Sequence, residues 1–322
     1  MNKSRYFYTI YILAVIVFLG ASFLFAKQNF GKKSIISPLP NFLTAFSNLQ
    51  VSTLDLWFPK LKVFNGIMSG INTPDISARS AIVYDLSSER TLYEKSAKDK
   101  MPMASLTKIM TAIIAIENSK NSDKYEVAKE NLVGEDNMGL SSGEILSLEE
   151  LIYGMMLHSG NDAAETLATN YPGGRGMFIK AMNDKARSLG LLDTHFTNPT
   201  GLEGDGHQYT TAYDLVVITR YAIRSSLFAK ITATFDYNIP YTSGHKAFYL
   251  ENETNLLTSY PGVLGVKTGY TPEAGLCLVT YLNYKGHKII GVLLGSDNRR
   301  QEMKDLLDYS LKIQGVKPPP HG

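Results

Sequence analysis

The chain has 322 residues, enough for one large catalytic domain or two small ones. Its 32 Lys and Arg against 30 Asp and Glu leave a net charge of +2, too balanced for a nucleic-acid binder, and 44% hydrophobic against 19% charged residues excludes wholesale disorder. A single cysteine, Cys277, excludes an intrachain disulfide and a cysteine-built metal site, and six scattered His without an HExxH motif argue against a zinc enzyme, so no metal or cofactor is expected.

From Tyr6 to Ala26 the chain carries no charge, and as a helix this run would rise about 31 Å, near the thickness of a bilayer core. It is longer than the ~7–15-residue core of a secretion signal, and no A-x-A cleavage site follows it. Residues 1–33 are therefore read as a cytoplasmic tip and a membrane anchor, with a signal segment as the alternative. Lys3 and Arg5 on one side and Lys27, Lys32 and Lys33 on the other leave its orientation undecided by charge. Residues 34–77 contain four prolines and Trp57, the sole Trp, and read as a linker or stalk.

The body is expected over residues 78–315. SAIVYDLSS (80–88) and RTLYEK (90–95) alternate apolar and polar residues around a Ser-Ser-Glu turn, which predicts a hairpin. SLTKIMTAIIAIEN, from Ser105, is apolar nearly all round and predicts a buried helix. Ser147-Leu-Glu-Glu150 is a capping box that opens a second helix, LEELIYGMMLH. NDAAETLATNY, GMFIKAMNDKARSLG and TTAYDLVVITRYAIR have the spacing of amphipathic helices. VLGVKTGY, GLCLVTYLNYKG and HKIIGVLLGSD then read as three strands, RRQEMKDLLDYSLKI as a closing helix, and VKPPPHG (316–322) as a disordered tail. Strands at both ends with helices between them predict an α+β fold. One antiparallel sheet would unite early and late strands, flanked by helices, with a helical subdomain inserted.

Ser105-Leu-Thr-Lys108 carries the first chemical signal. Residues i and i+3 share a helix face, so the Lys108 amine can reach the Ser105 hydroxyl. For that amine to act as a base near neutrality its pKa must fall by ~3 units, about 4 kcal/mol, which burial and a second nearby cation can supply. A decoy, Ser243-Gly-His-Lys246, sits in an inter-strand loop. Ser159-Gly-Asn161 places a hydroxyl and an amide at a helix–helix corner, where one can relay a proton and the other hold a peptide group. Ser119-x-Asn121 and Ser296-x-Asn298 repeat that pattern, so alone it has little weight. Lys267-Thr268-Gly269 ends a strand with a cation and a hydroxyl suited to a carboxylate, and Gly269 permits close backbone approach. The order Ser-x-x-Lys, Ser-x-Asn, Lys-Thr-Gly is that of the penicillin-interacting serine enzymes.

From about Ala78 to the last helix the chain resembles the D-alanyl-D-alanine carboxypeptidases, low-molecular-mass penicillin-binding proteins of peptidase family S11. PMASLTKIMTA, HSGNDAAETLA, MNDKARSLGLLDTHFTNPTGL, TTAYDL and NLLTSYPGVLGVKTGYTPEAGLCLV carry the resemblance. It implies a serine DD-peptidase/β-lactamase-like fold, and an enzyme that removes the terminal D-Ala from peptidoglycan stem peptides. Its catalytic domain would be extracytoplasmic on a bacterial cell membrane, and β-lactams would be covalent inhibitors. Ser105 would be the acylated nucleophile, Lys108 its base, Ser159 the proton relay and Asn161 a peptide-binding residue. Lys267 and Thr268 would hold the terminal carboxylate, Gly269 beside them would belong to the substrate-binding residues, and the backbone N–H groups of Ser105 and Tyr270 would form the oxyanion hole.

Many members of the family carry a second β-rich domain and a C-terminal anchor, which are not expected after the helix ending near Ile313. That departure keeps a DD-endopeptidase acting on crosslinks as an alternative. A class A β-lactamase needs a carboxylate-activated water from an ExxLN stretch. The nearest imitation, Glu251-Asn-Glu-Thr-Asn255, ends only twelve residues before Lys267, which is the wrong segment. A catalytically silent wall-binding protein is the remaining alternative. His207 is expected to be a surface loop residue and Cys277 a small buried one.

Overall fold

The structure, a computed structural model, describes residues 70–119 and 124–321. The expected membrane anchor and most of the linker, Trp57 included, lie outside the described residues. Among the described residues no helix is long and apolar enough to cross a membrane.

The predicted hairpin is β1 (Ser80–Asp85) and β2 (Arg90–Lys95), and the three late strands are β7 (Val263–Thr271), β8 (Gly275–Tyr284) and β9 (His287–Ser296). They form one antiparallel sheet in the order β2-β1-β9-β8-β7, so the first strand pairs with the last, Ser80 opposite Leu294 and Asp85 opposite Ile289. Between them lie helices α1 (Lys108–Asn118), α2 (Leu148–Leu157), α3 (Asn161–Thr169), α4 (Gly174–Ser188), α5 (Ala212–Ala222) and α6 (Ser226–Thr232). A short α7 (Leu256–Ser259) precedes β7, and α8 (Arg299–Lys312) closes the body. Two short antiparallel ribbons were not foreseen: β3 (Lys124–Glu126) with β4 (Ile145–Ser147), and β5 (Asp236–Ile239) with β6 (Phe248–Glu251). Three- and four-residue strands are too short for an alternating pattern to stand out.

The period of two along each strand sends side chains to two separate cores. Ile82 and Tyr84 of β1, Val279 of β8 and Val292 and Leu294 of β9 pack with the helical block. Ala81, Val83, Leu278, Leu282 and Leu293 pack instead with Met303, Leu306, Leu307 and Leu311 of α8. A sheet covered on both faces explains why every residue of β1 is buried, where alternation alone predicted one wet face. Its one charged residue, Asp85, accepts hydrogen bonds from Ser87 N and Ser88 Oγ and lies 2.9 Å from His287 Nδ1. Gly291 lets α8 press onto β9, since a Cβ there would meet Met303 Sδ at 2.5 Å.

The capping box has the predicted form: Ser147 Oγ accepts from Glu150 N while the Glu150 carboxylate accepts from Ser147 N. Thr211 caps α5 by accepting from Asp214 N. The tail differs from expectation. Residues 316–321 form no helix or strand, but Val316 N donates to Leu311 O, Pro319 is buried, and the His321 ring stacks on Tyr260 and reaches Asp308 at 2.8 Å. An aromatic partner and a carboxylate on the body hold an end whose own composition specifies no regular structure.

Candidate active site

Ser105 stands in a single 3-10 turn, Ala104–Thr107, that runs directly into α1. The difference from a plain α-helix start is useful, because three residues per turn eclipse positions i and i+3. Lys108 Nζ accordingly lies 2.9 Å from Ser105 Oγ. The turn is entered through Ala104 with φ +47°, a left-handed conformation that costs an alanine about 1–3 kcal/mol. Two glycine backbones hold it there. A Cβ on Gly201 would fall 2.0 Å from Ala104 O, and one on Gly269 would fall 3.0 Å from Ser105 N.

Lys108 is fully buried, and two further partners fix its amine: Asn161 Oδ1 at 2.7 Å and the Thr200 carbonyl at 2.8 Å. Both can only accept, so two N–H bonds are committed to them. The third tetrahedral position faces Ser105, as an N–H when the amine is charged and as a lone pair toward the hydroxyl proton when it is neutral. Burial, reinforced by the nearby Lys267 charge, lowers the Lys108 pKa well below its ordinary value.

Each partner is itself held. Asn161 is the first residue of α3; its Nδ2 donates to Glu135 O at 2.5 Å and its backbone N to Asp136 O. The next residue, Asp162, accepts from the N–H groups of Met138, Gly139 and Leu140, which ties that loop to the helix start. Thr200 belongs to the TNPTGL segment, where Asn198 Oδ1 accepts from Thr200 N and Gly201 N and Asn198 Nδ2 donates to Leu202 O. Thr111 Oγ1 on α1 donates to Pro199 O at 2.6 Å. Ser159 sits two residues before Asn161 at the α2–α3 corner, buried, with φ +56°.

Lys267, Thr268 and Gly269 lie on β7, at the edge of the sheet, yet Lys267 and Thr268 are both buried. A lysine that merely guards a free strand edge against pairing would be exposed. Here the free edge is covered: Gly269 abuts the Ser105 turn, and Gly265 lies so close to α6 that a Cβ would meet Thr232 O at 2.7 Å. Burial lowers the Lys267 pKa to about 8, with Glu253 opposing the fall and Arg299 adding to it. Glu253 Oε2 is 4.0 Å from Lys267 Nζ and accepts from Thr268 Oγ1 at 3.2 Å. Arg299 Nη1 donates to Gly269 O at 2.7 Å. Tyr270 leaves its side chain exposed, so any part it takes beside Ser105 falls to its backbone.

The structure thus brings Ser105, Lys108 and Asn161 into direct contact and sets Gly269 against the Ser105 backbone. Sequence reasoning missed Thr200, Asn198, Glu253 and Arg299. The first acts through a carbonyl, which no side-chain pattern announces, and Glu253 is only an interior position of the stretch whose Glu251 fails the ExxLN match. Two of the decoys lie elsewhere: Lys246 donates to Ser141 Oγ, Ser296 binds Glu302 and Asn298 caps α8, while Asn121 of the third lies outside the described residues. Cys277 is buried, with its thiol pushed up to about 11, and His207 is exposed, both as expected.

Comparison with known proteins gives the family and the fold. A family model described as D-alanyl-D-alanine carboxypeptidase matches residues 68–298. The D-alanyl-D-alanine carboxypeptidase DacF of Bacillus subtilis is 35% identical over 251 residues, covering 75% of this chain and 64% of its own length, just under two thirds. The D-alanyl-D-alanine endopeptidase of Escherichia coli is 29% identical, over 77% of this chain and 81% of its own. The crystal structure of the Streptomyces K15 DD-transpeptidase superposes with a TM-score of 0.71 at 31% identity, covering 75% of this chain and all of that one.

Proposed function

The chain belongs to the D-alanyl-D-alanine carboxypeptidase family, and from that premise we propose that it is a serine-type carboxypeptidase that removes the terminal D-Ala from peptidoglycan stem peptides. The observation that carries the reading is the Lys108 amine, fully buried and 2.9 Å from Ser105 Oγ, with its other hydrogens committed to Asn161 and Thr200.

The neutral amine takes the Ser105 proton as Oγ bonds to the carbonyl carbon of the penultimate D-Ala. The negative charge developing on the carbonyl oxygen is met by the backbone N–H groups of Ser105 and Tyr270, a pairing supported by the close run of β7 past the Ser105 turn. The C–N bond then breaks, and the proton passes through Ser159 to the departing D-Ala nitrogen. Water attacks the acyl ester on Ser105 and regenerates the hydroxyl. Lys267 and Thr268 supply the cation and donor for the terminal carboxylate, while Asn161 aligns the peptide. A β-lactam takes the same path to a stable ester. Stem peptides lie outside the cytoplasmic membrane, so the uncharged run 6–26 supports attachment there with the catalytic body on the outer side.

Intact-mass measurement of the full-length chain in detergent with benzylpenicillin tests the assignment. One persistent adduct per chain is expected, and none with Ser105→Ala; an adduct on the alanine variant would place the nucleophile elsewhere.

A further inference from the structure

Glu253 is unusual in its position. Lys267 and Thr268 are an adjacent cation and hydroxyl on β7, directly before Gly269, which abuts the Ser105 turn, and the Glu253 carboxylate already engages both, at 4.0 and 3.2 Å. Its backbone is fixed. Glu253 N donates to Leu157 O at the end of α2, and Asn252 beside it donates to Thr232 O and Thr234 O through Nδ2. Its side chain is not fixed to the same degree, being 40% exposed where that of Lys267 is 1% exposed. A carboxylate of this chain therefore stands where the substrate's carboxylate has to bind, on a rigid base and a movable stem.

Resting on the function proposed above, we propose that Glu253 determines leaving-group specificity: it occupies the carboxylate anchor, so a leaving group with a free C-terminus must displace it, whereas one whose carboxyl is blocked as an amide need not. The consequence is a site that selects weakly for a free C-terminus and admits leaving groups in which that carboxyl is masked. Like charges brought together in one site are mutually unfavourable, and the incoming carboxylate meets this one directly. The same residue supports the charge on Lys267. The charged groups acting on that amine are Glu253 and Asp136, which raise its pKa, and Arg299, which lowers it, with Lys108 as the neighbouring titrating amine. Removing the Glu253 charge leaves burial and Arg299 less opposed.

The test uses the full-length chain and two peptides, a diacyl-L-lysyl-D-Ala-D-Ala and its C-terminal carboxamide, with release of D-Ala or D-alaninamide measured for wild type, Glu253→Gln and Glu253→Asp. For Glu253→Gln the KM for the free acid is expected to fall by about fivefold or more, the gain appearing in KM rather than kcat. The constants for the carboxamide should move by less than about twofold, and Glu253→Asp, with a shorter reach, should lie between. The alkaline limb of kcat/KM for the free acid should also shift to lower pH in Glu253→Gln, which a purely structural role would not produce. An unchanged or reduced preference for the free acid in Glu253→Gln overturns the proposal. Wild type that releases neither amine and forms no penicillin adduct overturns the functional reading instead.

Discussion

Two buried lysines share this site, and the proposed mechanism asks opposite protonation states of them, which the repulsion between their charges favours. Lys108 has to be neutral to accept the Ser105 proton, and burial next to Lys267 makes it lose its own proton at a lower pH than a free lysine. Lys267 has to be charged to hold a carboxylate, and its charge is lost as pH rises through about 8. Activity on free-acid peptides should therefore follow a bell: it climbs as Lys108 deprotonates and declines around pH 8 as Lys267 does, with apparent values that belong to the pair. A pH profile of kcat/KM between pH 5 and 10 checks it, and a plateau extending past pH 10 would contradict it. Lys108→Arg keeps the cation but cannot shed its proton, so acylation by benzylpenicillin should slow by a factor of about 100 or more. What was legible at this scale follows from the same chemistry. Ser105, Lys108 and Lys267 are readable because the proposed chemistry acts through their side chains, set in short local patterns, Ser-x-x-Lys and Lys-Thr-Gly. Thr200 and Glu253 are not, because one contributes a backbone oxygen and the other reaches the site only through the path of the chain between β6 and β7.

Elements matter here chiefly for where they bring backbones together. The turn bearing Ser105 is held between Gly201, which has no room for a Cβ, and Gly269, where a Cβ would sit tightly, 3.0 Å from Ser105 N. Gly201 also has φ +93°, so Gly201→Ala adds both a steric clash and left-handed strain. The cheapest relief is a shift of Ala104 and Ser105. Displacement by about 1 Å can cost roughly 100-fold in rate, so acylation should fall by about that factor, with stability lowered by about 1–3 kcal/mol. Gly176 gives the contrasting case. It lies on the exposed face of α4, nothing stands within 4 Å of its Cβ position, and Gly176→Ala should stabilise the protein by about 0.5–1 kcal/mol without altering acylation. Urea titration together with intact-mass kinetics separates the two outcomes. The long helices and strands were readable because period and caps agreed, as at Ser147–Glu150 and Thr211. The 3-10 turn at Ser105 was not, because its strain at Ala104 is imposed by glycines that lie far away in sequence.

Across the whole molecule, the sheet is closed by its ends: β1 and β2 reach the rest of the sheet only through the pairing of β1 with β9. The helical block is an insertion between them, so its position over β7, and with it the close approach of Gly269 to the Ser105 turn, depends on that closure. One buried residue ties it. Glu302 on α8 accepts from Ser77 N and Ser77 Oγ with one oxygen and from Ser296 Oγ with the other, each at 2.6 Å, joining the entry to β1, the exit of β9 and the last helix. Burial pushes the Glu302 pKa up, but the hydrogen bonds from Ser296 and Ser77 outweigh it and hold the carboxyl below its ordinary value. Because the folded value is depressed, the stabilisation is present in full above about pH 4.5 and is lost as pH falls through the folded value. Glu302→Ala leaves three donors without their acceptor and should cost about 2–4 kcal/mol at pH 7. Its deficit should be smaller at pH 3 than at pH 7, because the stabilisation from a depressed carboxyl pKa begins to decline below about 4.5. Urea titrations at the two pH values measure the difference, and amide exchange should show β1 and β2 losing protection before the helical block does. A deficit that stays constant with pH would mean that packing, rather than the charged hydrogen bonds, is what Glu302 contributes.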